Sequence, residues 1–491
     1  MVTVDEMAAF CKRKGFVFPS AEIHENLAGF YDYGPLGIEM KRNIKNLWWR
    51  SVVQNKENVV GIDGAIISPE SVWKASGHVE SFVDIVGYCK KCKKKIKLDK
   101  HEIGIAKCPN CGILYENNGE FNPMFETTVG AVKEESKKVY LRPETAQMIF
   151  VNFKNILDTS RVKLPFGIAQ IGKAFRNEIS PRNFLFRMRE FEQMELEFFV
   201  HPQKLNDCPN FDEVKNVKIN VLTADQQENN DQETTQMTIN DLFSNKLIRT
   251  KWHAYWIGLR YKWFLDIGIN PDKLRLREHT KDELSHYSME TWDIEYNYPF
   301  GWKELEGIAN RTDFDLKQHI KYSKKDLYYF DTETNEKIIP YVVAEPSVGV
   351  DRIFLTLLFD SYTEEEVNGE KRIVLKLHPL IAPYKVAVFP LVKKDGLDKK
   401  AKEVFDILKK EFNCFYDESG SIGRRYRRMD EIGTKSTVTI DYQTLEDDSV
   451  TLRDRDSMKQ IRVDIKDLII TIRKFLNGKK LENLGKIIKK E

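Results

Sequence analysis

The chain predicts an α+β fold with a smaller α/β unit at its carboxy-terminal end. Three observations carry this: a charged hairpin pattern at residues 174–195, amphipathic helical stretches on either side of it, and alternating strand and helix patterns beyond His378. Gly34-Pro35-Leu36-Gly37 leads into helical spacing with Met40, Ile44, Leu47, Trp48 and Val52 on one face. Pro35 suits the first helical position, where no N–H is needed. Residues 174–195 read as two strands joined by a polar turn at Ser180-Pro181-Arg182-Asn183. Alternation puts Arg187, Arg189, Phe191, Gln193 and Glu195 on one face and Met188, Met194, Leu196 and Phe198 on the other, with Gln170, Arg176 and Glu178 aligned on the incoming strand. The second face packs. The first combines guanidiniums, carboxylates and a ring, which suits a flat ligand beside a polyanion. Residues 223–240 are polar enough to predict a mobile surface insertion. Trp252, Trp256, Leu259 and Trp263 then mark a helix closed by Gly268 before Asn270-Pro271, and the stripe reads as core. Beyond His378, Val386–Phe389 reads as a strand and Ala401, Val404, Phe405, Leu408 and Phe412 as an amphipathic helix. Strands at 437–441 and 449–453 and a final helix through Leu468, Ile469, Ile472 and Phe475 follow.

The 491 residues suggest two to four domains, and 77 basic against 75 acidic residues give a net charge of +2. A polyanionic partner therefore has to be held by local basic patches. No apolar run reaches the ~18 residues that cross a bilayer, and the first residues lack the basic and apolar parts of a signal peptide. The expectation is a cytoplasmic protein without a membrane partner. Seven cysteines are too few for a disulfide scaffold, and four cluster as Cys89-x2-Cys92 and Cys108-x2-Cys111. Two such pairs can close a zinc tetrahedron, while a reduced, metal-free quartet is the alternative. Four protein ligands make such a site structural. The lysines around the first pair are expected to lower the thiol pKa values.

Phe175-Arg176-Asn177-Glu178 with Arg187-Met188-Arg189-Glu190-Phe191 resembles the second signature motif of class II aminoacyl-tRNA synthetases, and Glu345-Pro346-Ser347-Val348-Gly349-Val350-Asp351-Arg352 resembles the third. Gly301–Ala309, Arg311-Thr312-Asp313, Leu141–Gln147 and Phe191–Glu195 are similar to the single-chain, homodimeric glycyl-tRNA synthetase family. The resemblance implies a class II antiparallel sheet flanked by helices over residues 1–377. That unit would include a cysteine module at 88–120 and an insertion at 201–285. An anticodon-binding domain is implied over 378–491. It further implies a glycine–tRNA ligase that uses ATP and Mg²⁺, a tRNA(Gly) partner, and a homodimer built on the helix after Gly34; by periodicity alone that helix is equally a core helix.

The roles implied are these. Arg176 clamps the α-phosphate and Arg187 the outer phosphates. Phe191 and Arg352 sandwich adenine, whose amino group Glu178 accepts, and Glu304 ligates or adjoins Mg²⁺. Asn177, Phe186, Met188, Arg189, Glu190, Leu305, Gly349, Val350 and Asp351 complete the ATP site. Glu144, Glu195, Glu345 and Ser347 grip glycine, with Phe191, Glu192, Gln193, Met194, Pro346, Val348 and Gly349 around it. Lys97 stands where the family commonly has arginine; it keeps the charge and loses the fork. Arg424, Arg425, Arg427 and Arg428 would contact tRNA. A pocket for the smallest amino acid rejects others by bulk, so no editing domain is expected. The rival readings are a non-catalytic class II relative that binds nucleic acid, and a histidyl, threonyl or prolyl relative. The presence of Arg176 and Arg352 argues against the first, and Glu144, Glu195 and the 301–313 block against the second.

Overall fold

The computed structural model describes residues 2–98, 102–132, 135–285, 287–367 and 369–488. The expected cysteine module therefore includes 99–101, which lie outside the described residues. Among the described residues a nine-stranded sheet forms the body of the molecule. Its strands in chain order are β1 (Val59–Ile62), β2 (Phe166–Phe175), β3 (Glu190–Val200), β4 (Lys218–Leu222), β5 (Thr235–Thr238), β6 (Leu274–Glu278), β7 (Glu290–Tyr298), β8 (Gly301–Asn310) and β9 (Tyr341–Gly349). They lie in the order β5-β4-β6-β7-β8-β9-β3-β2-β1. Every neighbouring pair is antiparallel except β1 with β2 and β4 with β6.

Helices α1 (Pro35–Trp49), α2 (Ala146–Ser160), α3 (Lys251–Asp266) and α4 (Val350–Ser361) flank the sheet. Pro35 starts α1, and Met40, Ile44 and Trp48 are buried on it as their spacing predicts. Gly37 lets that helix approach its neighbour: a Cβ there would sit 1.9 Å from the carbonyl oxygen of Phe16. The tryptophan stripe of α3 is core, with Trp252, Trp256 and Trp263 buried.

Two expectations are corrected. The hairpin strands end at Phe175 and restart at Glu190, so Arg176, Glu178, Arg187 and Arg189 belong to an intervening loop. Its turn of 3₁₀-helix at Phe184–Phe186 buries Leu185. The polar stretch 223–240 is built into the sheet as its edge. Thr223 and Thr238 each close a capping box, on helices Ala224–Glu228 and Ile239–Ser244, and β5 pairs with β4 between them. Capping and strand pairing satisfy the backbone where composition alone suggested none would.

The carboxy-terminal sheet comprises β10 (Val386–Pro390), β11 (Cys414–Tyr416), β12 (Ser436–Ile440), β13 (Ser449–Asp454), β14 (Gln460–Asp464) and β15 (Lys486–Ile487), in the order β11-β10-β12-β13-β14-β15. Helices α5 (Leu397–Leu408), α6 (Ile422–Asp430) and α7 (Leu468–Leu476) accompany it. Val388, Val404, Val438, Leu452 and Ile472 belong to its own apolar cluster.

Candidate active site

A polar cleft of about 370 Å³ opens over β3, β7, β8 and β9, walled by the 176–189 loop and the start of α4. At one end are three arginines, two of which meet aromatic faces. The Arg176 guanidinium lies 5.4 Å from the Phe82 ring centroid and 5.5 Å from that of Phe191, while its Nε donates to the Pro143 carbonyl at 2.9 Å. Arg352 lies 4.7 Å over Phe186 and pairs with Glu304 at 2.9 Å. Arg187 stands 3.6 Å from the Glu178 carboxylate. The aromatic partners thus differ from the implied sandwich: the loop ring Phe186 covers Arg352, and Phe191 faces Arg176.

At the other end are buried carboxylates. Glu144 lies 3.3 Å from His78 Nε2. Burial disfavours its charge, yet His78, Arg311 and Arg176 outweigh that and hold it well below the usual carboxylate range. Glu195 accepts from the Thr145 hydroxyl, and burial and then Glu144 raise its pKa. Arg311 is fully enclosed behind them. It donates to Glu345 at 2.7 Å and to both oxygens of Asp315 at 2.7 and 2.9 Å, and its guanidinium lies 3.8 Å over the Tyr287 ring. Gln193 donates to Ser347 Oγ at 3.3 Å and accepts from the Thr145 N–H at 3.2 Å. Met188, Gly349 and Lys97 also border the cleft, Lys97 held 2.6 Å from Asp84.

Other implied residues support the cleft from outside its lining. Arg189 donates to the carbonyls of Glu178 and Ala28, so it braces the loop. The Asn177 N–H donates to Pro123. Glu190 pairs with Lys173, and Glu192 with Lys41 and Lys45 of α1. Met194, Leu305, Pro346, Val348 and Val350 are buried in the sheet and helix packing. Asp351 touches the cleft and also ties three segments together: it accepts from Tyr33, from Lys41 at 3.0 Å and from the Glu192 N–H at 2.7 Å. His78, Thr145, Arg311 and the His279–Asp293 pair, 2.8 Å apart, were not picked out as site residues. The Arg311-Thr312-Asp313 block of the family resemblance is the signal the sequence offers for Arg311.

The four cysteine sulfurs lie within 4.8 Å of one another, compatible with a tetrahedron of thiolates around zinc. The expected lowering by the lysines around the first pair is not found: Cys92 is pushed up to about 12 by its hydrogen bond with Cys111 and by burial, while Cys108 is drawn down to about 6, where burial opposes the shift and the Asn110 N–H, the Tyr115 hydroxyl and Cys89 prevail. These groups, rather than the lysines, supply the main effect. Lys90 instead pairs with Glu116 at 2.5 Å. In the carboxy-terminal unit Arg425 is buried and donates to the carbonyls of Pro390, Leu391 and Asp417, which corrects its assignment to a nucleic-acid surface. Arg424 is exposed, and Arg428, also exposed, pairs with Asp417.

This sheet, with arginines on the loop after β2 and at the head of α4, defines a class II synthetase core. Residues 125–219 match the family model "tRNA synthetase class II core domain (G, H, P, S and T)" and residues 385–475 match "Anticodon binding domain". A solved prolyl-tRNA synthetase from Cryptosporidium parvum shares the fold at a TM-score of 0.59 and 14% identity, covering 96% of this chain and 77% of that one. Among curated proteins, the glycine–tRNA ligase of Borrelia hermsii is 47% identical, covering 98% of this chain and 99% of the relative. That of Caldanaerobacter subterraneus subsp. tengcongensis is 49% identical, with 94% and 96% covered. The chain belongs to the glycine–tRNA ligase family.

Proposed function

We propose that the cleft activates glycine with ATP to glycyl-adenylate and then transfers glycine to the terminal ribose of tRNA(Gly). The observation that carries this is the division of one cavity into an arginine end and a carboxylate end. Adenylate formation brings the glycine carboxylate against the α-phosphate, two groups that repel. Arg176 joins them, because its fork can follow phosphate oxygens into the crowded transition state. Arg187 leaves Glu178 for the outer phosphates, freeing that carboxylate for the adenine amino group. Adenine lies against Arg352 with Phe191 opposite, so Phe186 gives way to the base.

Glutamate 304, half-exposed beside Arg352, fits a Mg²⁺ ligand as a hard oxygen donor open to the cleft. The ion when bound would neutralise triphosphate charge. Glu144, Glu195 and Glu345 hold the ammonium of glycine, while Gln193 and Ser347 close the space beyond its α-carbon. No covalent nucleophile is required, since positioning and electrostatics supply the acceleration.

The cysteine quartet holds structural zinc. The anticodon stem meets Arg424, Arg427 and Arg428 on α6. The exposed apolar side chains of Ile23, Leu27 and Ile38 support a second copy pairing near α1. The setting is the cytoplasm. Glycine-dependent exchange of pyrophosphate into ATP, run beside alanine, histidine, threonine and proline, tests the assignment; exchange with glycine alone is expected, and its absence would remove the reading.

A further inference from the structure

Glu197 is fully buried on β3, and neither of its carboxyl oxygens has a hydrogen-bond partner. It shares a strand face with Glu195. The register that pairs Glu195 with Ser347 and Phe198 with Ala344 sets Glu197 across from Glu345 on β9. Carboxyl oxygens of Glu195, Glu197 and Glu345 come within 4.8 Å of one another. Like charges directly opposite on adjacent strands repel, and a buried carboxylate without a partner bears its full desolvation cost. The charged groups facing it are Glu195 on its own strand, Glu345 on β9, Arg311 after β8 and Asp315 on the helix beyond. Arg311 is the one cation of this set, and it is bonded to Glu345 and Asp315. Four carboxyl groups around one guanidinium need protons. Burial, and then Glu345, push the Glu197 carboxyl well above its ordinary range.

We propose that Glu197 is a positioning residue of the glycine end: an uncharged acid that donates a hydrogen bond to Glu345 when the substrate ammonium arrives, fixing the carboxylate that faces it. The inference rests on the reading of Glu144, Glu195 and Glu345 as the ammonium-holding set. Glu197 makes no contact with substrate and keeps its proton throughout. A metal cation among the three carboxylates would balance the same charge, but it would occupy the oxygens the ammonium needs.

The test uses the full-length protein in pyrophosphate exchange, with glycine titrated from about pH 6 to 9. Glu197→Leu, which keeps the bulk and removes the donor, should raise the KM for glycine about tenfold or more and leave kcat and the KM for ATP nearly unmoved. Glu197→Gln, an uncharged donor of the same shape, should recover most of that loss. A thermal readout checks the charge state. A carboxyl whose folded pKa is raised contributes stability that is complete below its unfolded value and is lost as pH climbs through the folded value. The Gln variant should therefore melt above wild type by a margin that widens as pH rises from 4.5, the ordinary value of the group. Equal damage by Gln and Leu would mean that charge is required and would overturn the proposal. So would stoichiometric metal in the wild type that the Gln variant lacks. Glu195→Gln separates the two readings. If it leaves the KM for glycine unmoved, the glycine end itself is misassigned; if it raises that KM while both Glu197 variants behave as wild type, only the present inference falls.

Discussion

Two glutamates that line the same cleft can be driven in opposite directions by their neighbours. Glu144 meets His78, Arg311 and Arg176 and is held ionised; Glu345 shares Arg311 with Asp315 but faces Glu195 and Glu144, and burial and these acids raise it. The pocket therefore has one firm anion and others whose charge depends on what arrives. Arg176 is the matching cation at the other end. Its Nε is fixed on Pro143, and its guanidinium lies near the rings of Phe82 and Phe191 where the side chain lines the cleft. Arg176→Ala should lower glycine-dependent pyrophosphate exchange by about 100-fold or more, some 3 kcal/mol, by analogy with losing one transition-state donor. Single-turnover adenylate formation is the measurement; an unchanged rate would remove the residue from the phosphate clamp.

Among the elements, helix α6 separates two kinds of arginine that look alike in the sequence. Arg425→Ala takes donors from three backbone carbonyls, that of Pro390 buried, and should cost stability, about 1–3 kcal/mol, read in urea unfolding. Arg424→Ala with Arg428→Ala should weaken tRNA charging and leave pyrophosphate exchange intact; a parallel fall in both would refute the anticodon assignment. The cysteine module touches the loop after β2, because Ser180 Oγ donates to the Lys95 carbonyl at 2.9 Å and Lys97 borders the cleft. On the proposal that the quartet holds zinc, a chelator should raise the KM for ATP as well as release the metal, followed by metal analysis; release without any change in KM would make the cysteine module independent of the cleft. Which elements were legible follows from their physics. The tryptophan stripe of α3, the proline start of α1 and the strands after His378 are local patterns, and they appear at the predicted positions. The alternating charges of 176–178 and 187–189 read as strand on either side of the turn at 180–183; loop or strand is decided by where β2 and β3 run out of paired partners, a tertiary fact. Arg311 reaches Asp315 four positions on, within local spacing, but also Glu345 34 positions away, which local spacing does not show.

Among the described residues the apolar cluster under the nine-stranded sheet reaches Ala387, Phe389, Met429 and Ile432 of the carboxy-terminal unit, and that unit also has an apolar cluster of its own. They are joined by a buried charge cluster in which Asp430 of α6 accepts from Arg453 at 3.0 Å and from Arg372 at 3.1 Å. No described helix is long and apolar enough to cross a membrane. Sedimentation equilibrium should give twice the chain mass, and Ile38→Glu should shift it towards the single chain; a single-chain mass for the wild type would remove the dimer. The division of the cleft also bears on medicinal chemistry. A competitive inhibitor that copies both ends must present an amine to the acids and a multiply charged anion to the guanidiniums, a zwitterion that crosses lipid poorly. The more accessible foothold is the pair of rings at Phe186 and Phe191, where a neutral flat heterocycle could lever the arginines aside without copying either charge.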